Sequence, residues 1–326
     1  EYIGSPETGH PLHYSYSSDK IYMISNAGLF VSADEGNSWN QIPLPDSIST
    51  VNHVHESNGS LYLFNINFGL TEYAAGDPSD DEGLTWKSIY PFTFNPMGWK
   101  RNHVVKGDTI VIIDQDVPAA SVNKGDTYTI HGHPPAQIHE IFFHKDKLMA
   151  VGFDKLYSSP DLGATWDVIY RSPPIPDSVI FFTAMSVDDI LYKFDTDNPP
   201  LEGYFYRSYD DGVTWEKTDT LEHFFSEVPT ISGDAGNLFL SAGNYSHSEN
   251  KKIYHSTDQG AHWSLISSDT IHRFQYIKDI LFRLEYVGIS SGVWLSHDIG
   301  ETFQPYNTGF NAADCEEIIS GDDKLW

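Results

Sequence analysis

Seven times along its 326 residues the chain returns to one eight-residue phrase: serine, any residue, aspartate, any residue, glycine, any residue, threonine and a closing aromatic. The first three copies are carried by Ser32, Asp34, Gly36, Ser38 and Trp39; by Ser79, Asp81, Gly83, Thr85 and Trp86; and by Ser121, Asn123, Gly125, Thr127 and Tyr128. The next two are carried by Ser159, Asp161, Gly163, Thr165 and Trp166, and by Ser208, Asp210, Gly212, Thr214 and Trp215. Ser256, Asp258, Gly260, His262 and Trp263 form the sixth, and Ser296, Asp298, Gly300, Thr302 and Phe303 the seventh. Successive opening serines lie between 38 and 49 residues apart, and five of the eight tryptophans occupy the closing position. A repeat of this period confines a chain to architectures in which small supersecondary units lean on one another. The phrase itself reads as a tight hairpin corner. Its aspartate can accept a backbone N–H two residues on, as in an Asx-turn. Its glycine supplies a backbone angle that a β-carbon opposes. Its aromatic opens the next strand with a large apolar face.

Around each corner the text breaks into short β-branched and aromatic runs separated by Gly, Asp, Asn and Pro, the pattern of strands and turns. Helical periodicity is nowhere sustained. Around the fourth copy the runs are 138–143, 147–151, 155–158 and 166–170; around the first they are 12–16, 20–24, 28–32 and 39–42. Each unit is therefore four antiparallel strands, A to D, with the octapeptide joining C to D. Such units, repeated, predict an all-β fold: a β-propeller whose small sheets bury their faces against one another around a ring. Seven copies predict seven blades in one domain spanning 1–326. Residues 316–320 and 324–326 read as strands A and B of a further unit. That reading leaves an eighth blade open and suggests a segment of a longer polypeptide. Ser5, Glu7, Gly9 and Leu12 resemble a degraded copy of the corner.

Charge narrows the partners. There are 46 acidic residues against 19 lysines and arginines, a formal net charge of −27. A chain this acidic repels nucleic-acid phosphates and anionic membrane surfaces. No apolar run reaches the length of a membrane span. Cys315 is the single cysteine, which excludes an internal disulfide and cysteine-based zinc sites.

The octapeptide resembles the Asp-box, or BNR, repeat of sialidases, sortilin-type receptors, xyloglucan hydrolases and the photosystem assembly factor propellers. The resemblance covers nearly the whole chain. It implies that Asp34, Asp81, Asn123, Asp161, Asp210, Asp258 and Asp298 are scaffold, and that a functional site lies on the face opposite the corners. A sialidase would need three arginines on the substrate carboxylate and an Arg-Ile-Pro segment near the start. This chain has five arginines, none in its first hundred residues, and no such segment. The bidentate clamp lacks its usual parts.

On the face opposite the corners, the connections between B and C and between D and A vary most, as binding loops do. They offer Phe92, Phe94, Trp99 and Arg101 after unit two, Asp195 and Asp197 in unit five, and Tyr245 and His247 in unit six. Aromatics beside polar groups suit a glycan or a protein surface. Asp114, Asp116, Asp195 and Asp197 are the acidic residues from which a glycoside hydrolase could draw a carboxylate pair. His131 and His133, with His139 and His144 following, are a weak zinc or copper signal. Asp77, Asp80, Asp81 and Glu82 are a weak calcium signal. No metal or other cofactor is expected.

Asp followed by Ser or Thr and an aliphatic residue, at Asp46, Asp108, Asp177, Asp219 and Asp269, resembles the O-glycosylation acceptor of secreted Bacteroidota proteins. The acidity, the lack of a disulfide and the resemblance together predict an extracellular or cell-surface module that binds or assembles without catalysis. A polysaccharide hydrolase and a structural subunit of a surface filament are the alternatives.

Overall fold

The computed structural model describes residues 16–25, 28–44, 53–64, 75–87, 103–114, 117–132, 138–172, 183–196, 203–218, 230–234, 236–244, 247–267, 273–277, 279–285, 292–305 and 315–322. They form seven antiparallel sheets, six of four strands and one with three strands among the described residues. Blade 4 is typical. Its strands are Ile138–His144, Lys147–Gly152, Lys155–Ser159 and Asp167–Arg171, laid side by side in chain order. The innermost strands of blades 2 to 7 are His53–Ser57, His103–Lys106, Ile138–His144, Thr183–Val187, Thr230–Gly233 and Arg273–Ile277.

The sheets close into a ring because their strands are apolar on both faces. In blade 4, Leu148 and Ala150 pack towards blade 3, whereas Met149 and Val151 pack towards blade 5. Period-two alternation thus sends successive side chains into two different seams, so the run reads as continuously apolar. Seven buried clusters result, one for each pair of neighbouring blades around the full circle. The closing aromatic of every octapeptide enters the seam with the preceding blade. Trp39 sits with Phe282 and Leu295 of blade 7, Trp86 with the apolar face of blade 1, and Phe303 with Phe239 of blade 6. Each such ring, taken out of water, is worth roughly 1.5–3 kcal/mol.

Seven blades are present, and the first and last strands described meet in one of them. Blade 1 is ordered Cys315–Asp322, Tyr16–Ser25, Gly28–Ser32, Asn40–Ile42. Tyr22 pairs with Ile319 and Met23 with Ile318. This corrects two expectations. Residues 316–320 begin no eighth blade; they supply the innermost strand of the first. The first unit's own A strand, expected at 12–16, is not that strand: Tyr16 opens strand B, and residues 12–15 lie outside the described residues. The suggested degraded copy at Ser5 to Leu12 also lies outside them. A local pattern shows that a strand forms but not which edge it joins, since the pairing partner is chosen by what the ring leaves unpaired.

The corners differ from expectation in one bond. The aspartate does not receive an N–H two residues on. In all seven copies the buried serine Oγ accepts the glycine N–H at 2.7–2.9 Å. The third residue's Oδ1 accepts the backbone N–H four residues on, at 2.8–3.0 Å. The reason is backbone conformation. Both the fourth and fifth residues are left-handed, the fourth with φ between 57° and 61° in every copy, and two such residues carry the chain past the aspartate before it returns. Glycine is required at the fifth place for a second reason as well. A β-carbon on Gly163 would meet Pro118 of blade 3 at 2.7 Å.

Candidate functional site

In each antiparallel sheet the corner and the A–B turn lie at one end of the strands, and the connection between B and C lies at the other. Of the residues expected to offer a site, Phe92, Phe94, Trp99, Arg101, Asp197 and Tyr245 lie outside the described residues. Asp195 is not in a loop: it sits in the strand Ile190–Thr196, opposite Tyr204. His247 likewise opens the strand His247–Ser256 and pairs with Asn244, so 244 and 247–249 of the polar stretch lie in strands and not in a long loop. Asp114 ends a strand opposite Val117, and Asp116 lies outside the described residues. Polarity misled at these three places because backbone ladders continue past the core, where side-chain chemistry no longer reports pairing.

The metal candidates do not converge. The N–H of His131 donates to the Pro118 carbonyl at 2.8 Å, His133 is outside the described residues, and His144 is buried in a different seam. Asp77 is in a strand opposite Leu63. Asp80 accepts from Lys124 at 2.6 Å, Asp81 is held by its own corner, and Glu82 pairs with Lys20. Among the described residues no group of three or more His, Cys, Asp or Glu is arranged to hold a metal ion. Nor, among them, is any helix long and apolar enough to cross a membrane.

The corner carboxylates are tuned by the scaffold. The Thr85 hydroxyl holds the Asp81 carboxyl below the usual range, as Ser38, Thr165 and Thr214 do for Asp34, Asp161 and Asp210. Ser296 and Thr302 bring Asp298 down to about 2. At Asp258 partial burial opposes ionisation, but the backbone and ring N–H bonds of His262 outweigh it, and the carboxyl again lies at about 2. A carboxylate fed by several donors is stabilised in its charged form.

The fourth corner residue, variable in sequence, is where blades are joined. Glu82 of blade 2 pairs with Lys20 of blade 1. Lys124 of blade 3 reaches Ser60 at 2.8 Å in blade 2 as well as Asp80. The backbone carbonyl of Gln259 in blade 6 accepts from Arg207 of blade 5 at 3.1 Å, and its side chain accepts from the Tyr209 hydroxyl at 2.8 Å. Variability hid this position, because the partner on the preceding blade varies with it.

Asp211, the fourth residue in blade 5, anchors the most polar seam described. Its carboxylate accepts from Lys145 at 2.5 Å and lies 3.1 Å from Nε2 of His144, both in blade 4. Nδ1 of His144 lies 2.8 Å from the Ser186 hydroxyl in blade 5. Burial pushes the His144 imidazole below its ordinary value, with Asp211 opposing. Ser186, His144 and Asp211 have the composition of a hydrolase relay. Yet His144 is 1% exposed and Ser186 5%, so no substrate reaches either, and Lys145 already occupies the carboxylate. The relay is a latch between blades. Elsewhere in this seam, Thr183 donates to buried Glu140 at 3.2 Å. The Lys193 ammonium, 3% exposed as a residue, stands 3.4 Å from the ring centre of Tyr170 and 4.1 Å from that of Tyr206.

Comparison with known proteins places the ring among solved propellers. YCF48 from Cyanidioschyzon merolae superposes with a TM-score of 0.54 at 13% identity, over 82% of this chain and 88% of that one. A structure of YCF48 bound to D1 peptide superposes with a TM-score of 0.53 at 14% identity, over 81% and 88%. These likenesses are of fold: this chain is a seven-bladed propeller that shares its fold with those structures. No family model matches the chain, and no curated protein matches it in sequence.

Proposed function

We propose that this ring is a non-catalytic binding or assembly module of the Asp-box group, working outside the cytoplasm, at or beyond the cell surface. Its ligand is a protein segment or a glycan held on the face opposite the corners. The observation that carries the reading is the engagement of the chemistry-bearing side chains. The seven octapeptides are consumed in their own corners, and the His144 relay is sealed between blades. What remains for a ligand is the face of variable connections, to which the sequence assigns Trp99, Arg101 and Tyr245. A propeller of the same fold has been solved bound to D1 peptide, which supports a protein ligand by analogy of fold. Other domains of the same polypeptide, or further subunits of a surface assembly, are natural partners for such a module.

Binding arrays of glycans and of peptides test this. Retention lost in Trp99→Ala or Arg101→Ala, but kept in the corner variant Asp161→Asn, is the expected result. Release of reducing ends from plant or algal polysaccharides, abolished by Asp195→Asn or Asp197→Asn, would show a hydrolase and sink the reading.

A further inference from the structure

The inner end of the seam between blades 2 and 3 holds three histidines. His53 and His55 share a face of their strand with the apolar cluster that blade 2 turns to blade 3, and His103 shares the facing surface of blade 3. The His103 ring stands between the other two. Its centre is 5.0 Å from that of His53 and 5.2 Å from that of His55, both edge to face. Its own face stacks on Phe64 at 4.1 Å, and the His55 ring meets the same phenyl edge-on at 5.4 Å. His55 is 5% exposed and His103 2%. His53 and Phe64 pair at the end of blade 2 away from its corner, so the cluster lies towards the face opposite the corners.

The charged groups around the cluster are turned elsewhere or stand beside it. Glu56 alternates into the seam with blade 1, opposite Leu61, and accepts the Gly59 N–H at 2.9 Å. Lys106 reaches blade 4, where it meets Asp146 at 3.2 Å. From the second strands the cluster receives Tyr62, Ile110 and Ile112, and burial pushes the Tyr62 phenol up, so it stays neutral. Asp114, the carboxyl on the strand Thr109–Asp114, ends that strand beside His103. Blade 1, whose closing strand carries Glu316 and Glu317, packs behind His53–Ser57. Ile138–His144 packs behind His103–Lys106, and its Glu140 is turned to Thr183. Neutral imidazoles tolerate this packing. A charge on His55 or His103 gives up its water, and the Phe64 face returns less than that hydration. A second charge 5.2 Å away adds repulsion. Once the strands part, both rings take up protons below the ordinary histidine value of about 6.5. Acid therefore favours the parted seam.

We propose that these three histidines are a proton-operated release: in mild acid the inner end of this seam parts, and the face opposite the corners lets its ligand go. Trp99 and Arg101 precede His103 by four and two positions, so the strand start held by the cluster is where the connection assigned to ligand contact is attached. A ligand that requires the closed seam is bound less tightly in acid, and it opposes protonation by the same factor. The release rests on the preceding reading; the parting of the seam does not.

Amide hydrogen exchange of the intact protein at pH 7.5 and 5.5, corrected for the intrinsic effect of pH on exchange, tests the parting strand by strand. The opening constants of His53–Ser57 and His103–Lys106 should rise at pH 5.5 by about tenfold for each histidine that charges only on opening. Arg273–Ile277, at the seam of blades 7 and 1, should not follow. The double variant His55→Gln, His103→Gln should lose the rise, and His55→Phe, which keeps an aromatic ring in place, should lose about tenfold of it. Equal opening constants at both pH values in the native protein overturn the proposal. So does a rise shared by every blade, or one that survives in His55→Phe undiminished. The glycan and peptide arrays, read at both pH values, test the release: retention should fall about tenfold at pH 5.5 in the native protein and hold in the double variant. Equal retention in the native protein overturns the release and leaves the ligand face standing. Arrays blank at both pH values sink the preceding reading and the release with it, while the exchange result still decides the parting of the seam.

Discussion

Two seams of the same ring are held together by different means. The seam between blades 7 and 1 is apolar throughout its buried cluster, from Ile21, Met23 and Trp39 to Phe282 and Leu295, and blade 1 beside it is completed by the ladder of Cys315–Asp322. The seam between blades 4 and 5 has an apolar cluster too, but adds the Glu140–Thr183 bond, the Lys193 ammonium among aromatic rings, and the His144 latch. Packing yields strength in proportion to area and is indifferent to protons. A buried polar network adds little when formed and costs much when mispaired. The first seam is therefore built for strength, and the second reports on which blade stands next to which and on the state of its ionisable groups.

The contrast can be broken at several points. Deleting residues 315–322 removes the innermost strand of blade 1, and loss of cooperative unfolding in urea, followed by circular dichroism, is expected. An unchanged midpoint would mean that this ladder does not close the ring. Phe282→Ala should cost about 3–5 kcal/mol in the same assay, as a large cavity in a packed seam does, and by the same amount at pH 5.5 as at pH 7.5. Lys193→Ala should cost about 2 kcal/mol, the scale of a desolvated cation over aromatic rings.

Acid separates the seams further. Because burial lowers the His144 pKa, its neutral form is favoured in the fold, and that stability is present above the unfolded value of about 6.5 and lost as pH falls below it. His144→Gln should flatten the dependence of the melting temperature on pH between 7.5 and 5.5. Below about pH 4 the corner carboxylates take over: Asp258 and Asp298 protonate in the fold only near pH 2, so their contribution drains away between those values. The smallest effect has the opposite sign. Ile299 is β-branched yet left-handed at φ 61°, and Ile299→Asn should stabilise the protein by about 1 kcal/mol.

The ring was legible because its determinants are local and repeated. Ser, Asp, Gly and an aromatic at fixed offsets mark a corner wherever it falls, and Trp39, Trp86, Trp166, Trp215 and Trp263 announced the seams they fill. What repetition does not encode could not be read. The partner of 316–320 lies at the far end of the chain. The fourth corner residue matters through a contact with another blade, so nothing in the sequence sets Lys124 and Asp211 apart from other charged residues. His144 stood in the text as a remote member of a histidine run, and only the register of two neighbouring sheets brings it to Ser186. For the candidate site, Asp195 and His247 were recognised as polar positions, but the strands that contain them were not.

The composite first blade also sets a schedule. Tyr16–Ser25 leaves the ribosome ahead of six further blades, and its hairpin waits, with one rim of its ladder open, while they are synthesised and stacked. Residues 315–322, made after all six, finish the sheet begun at Tyr16. Closure of the ring therefore waits on one docking event of very long range, which makes folding slow for the ring's size and leaves the waiting rim exposed to wrong partners until it happens.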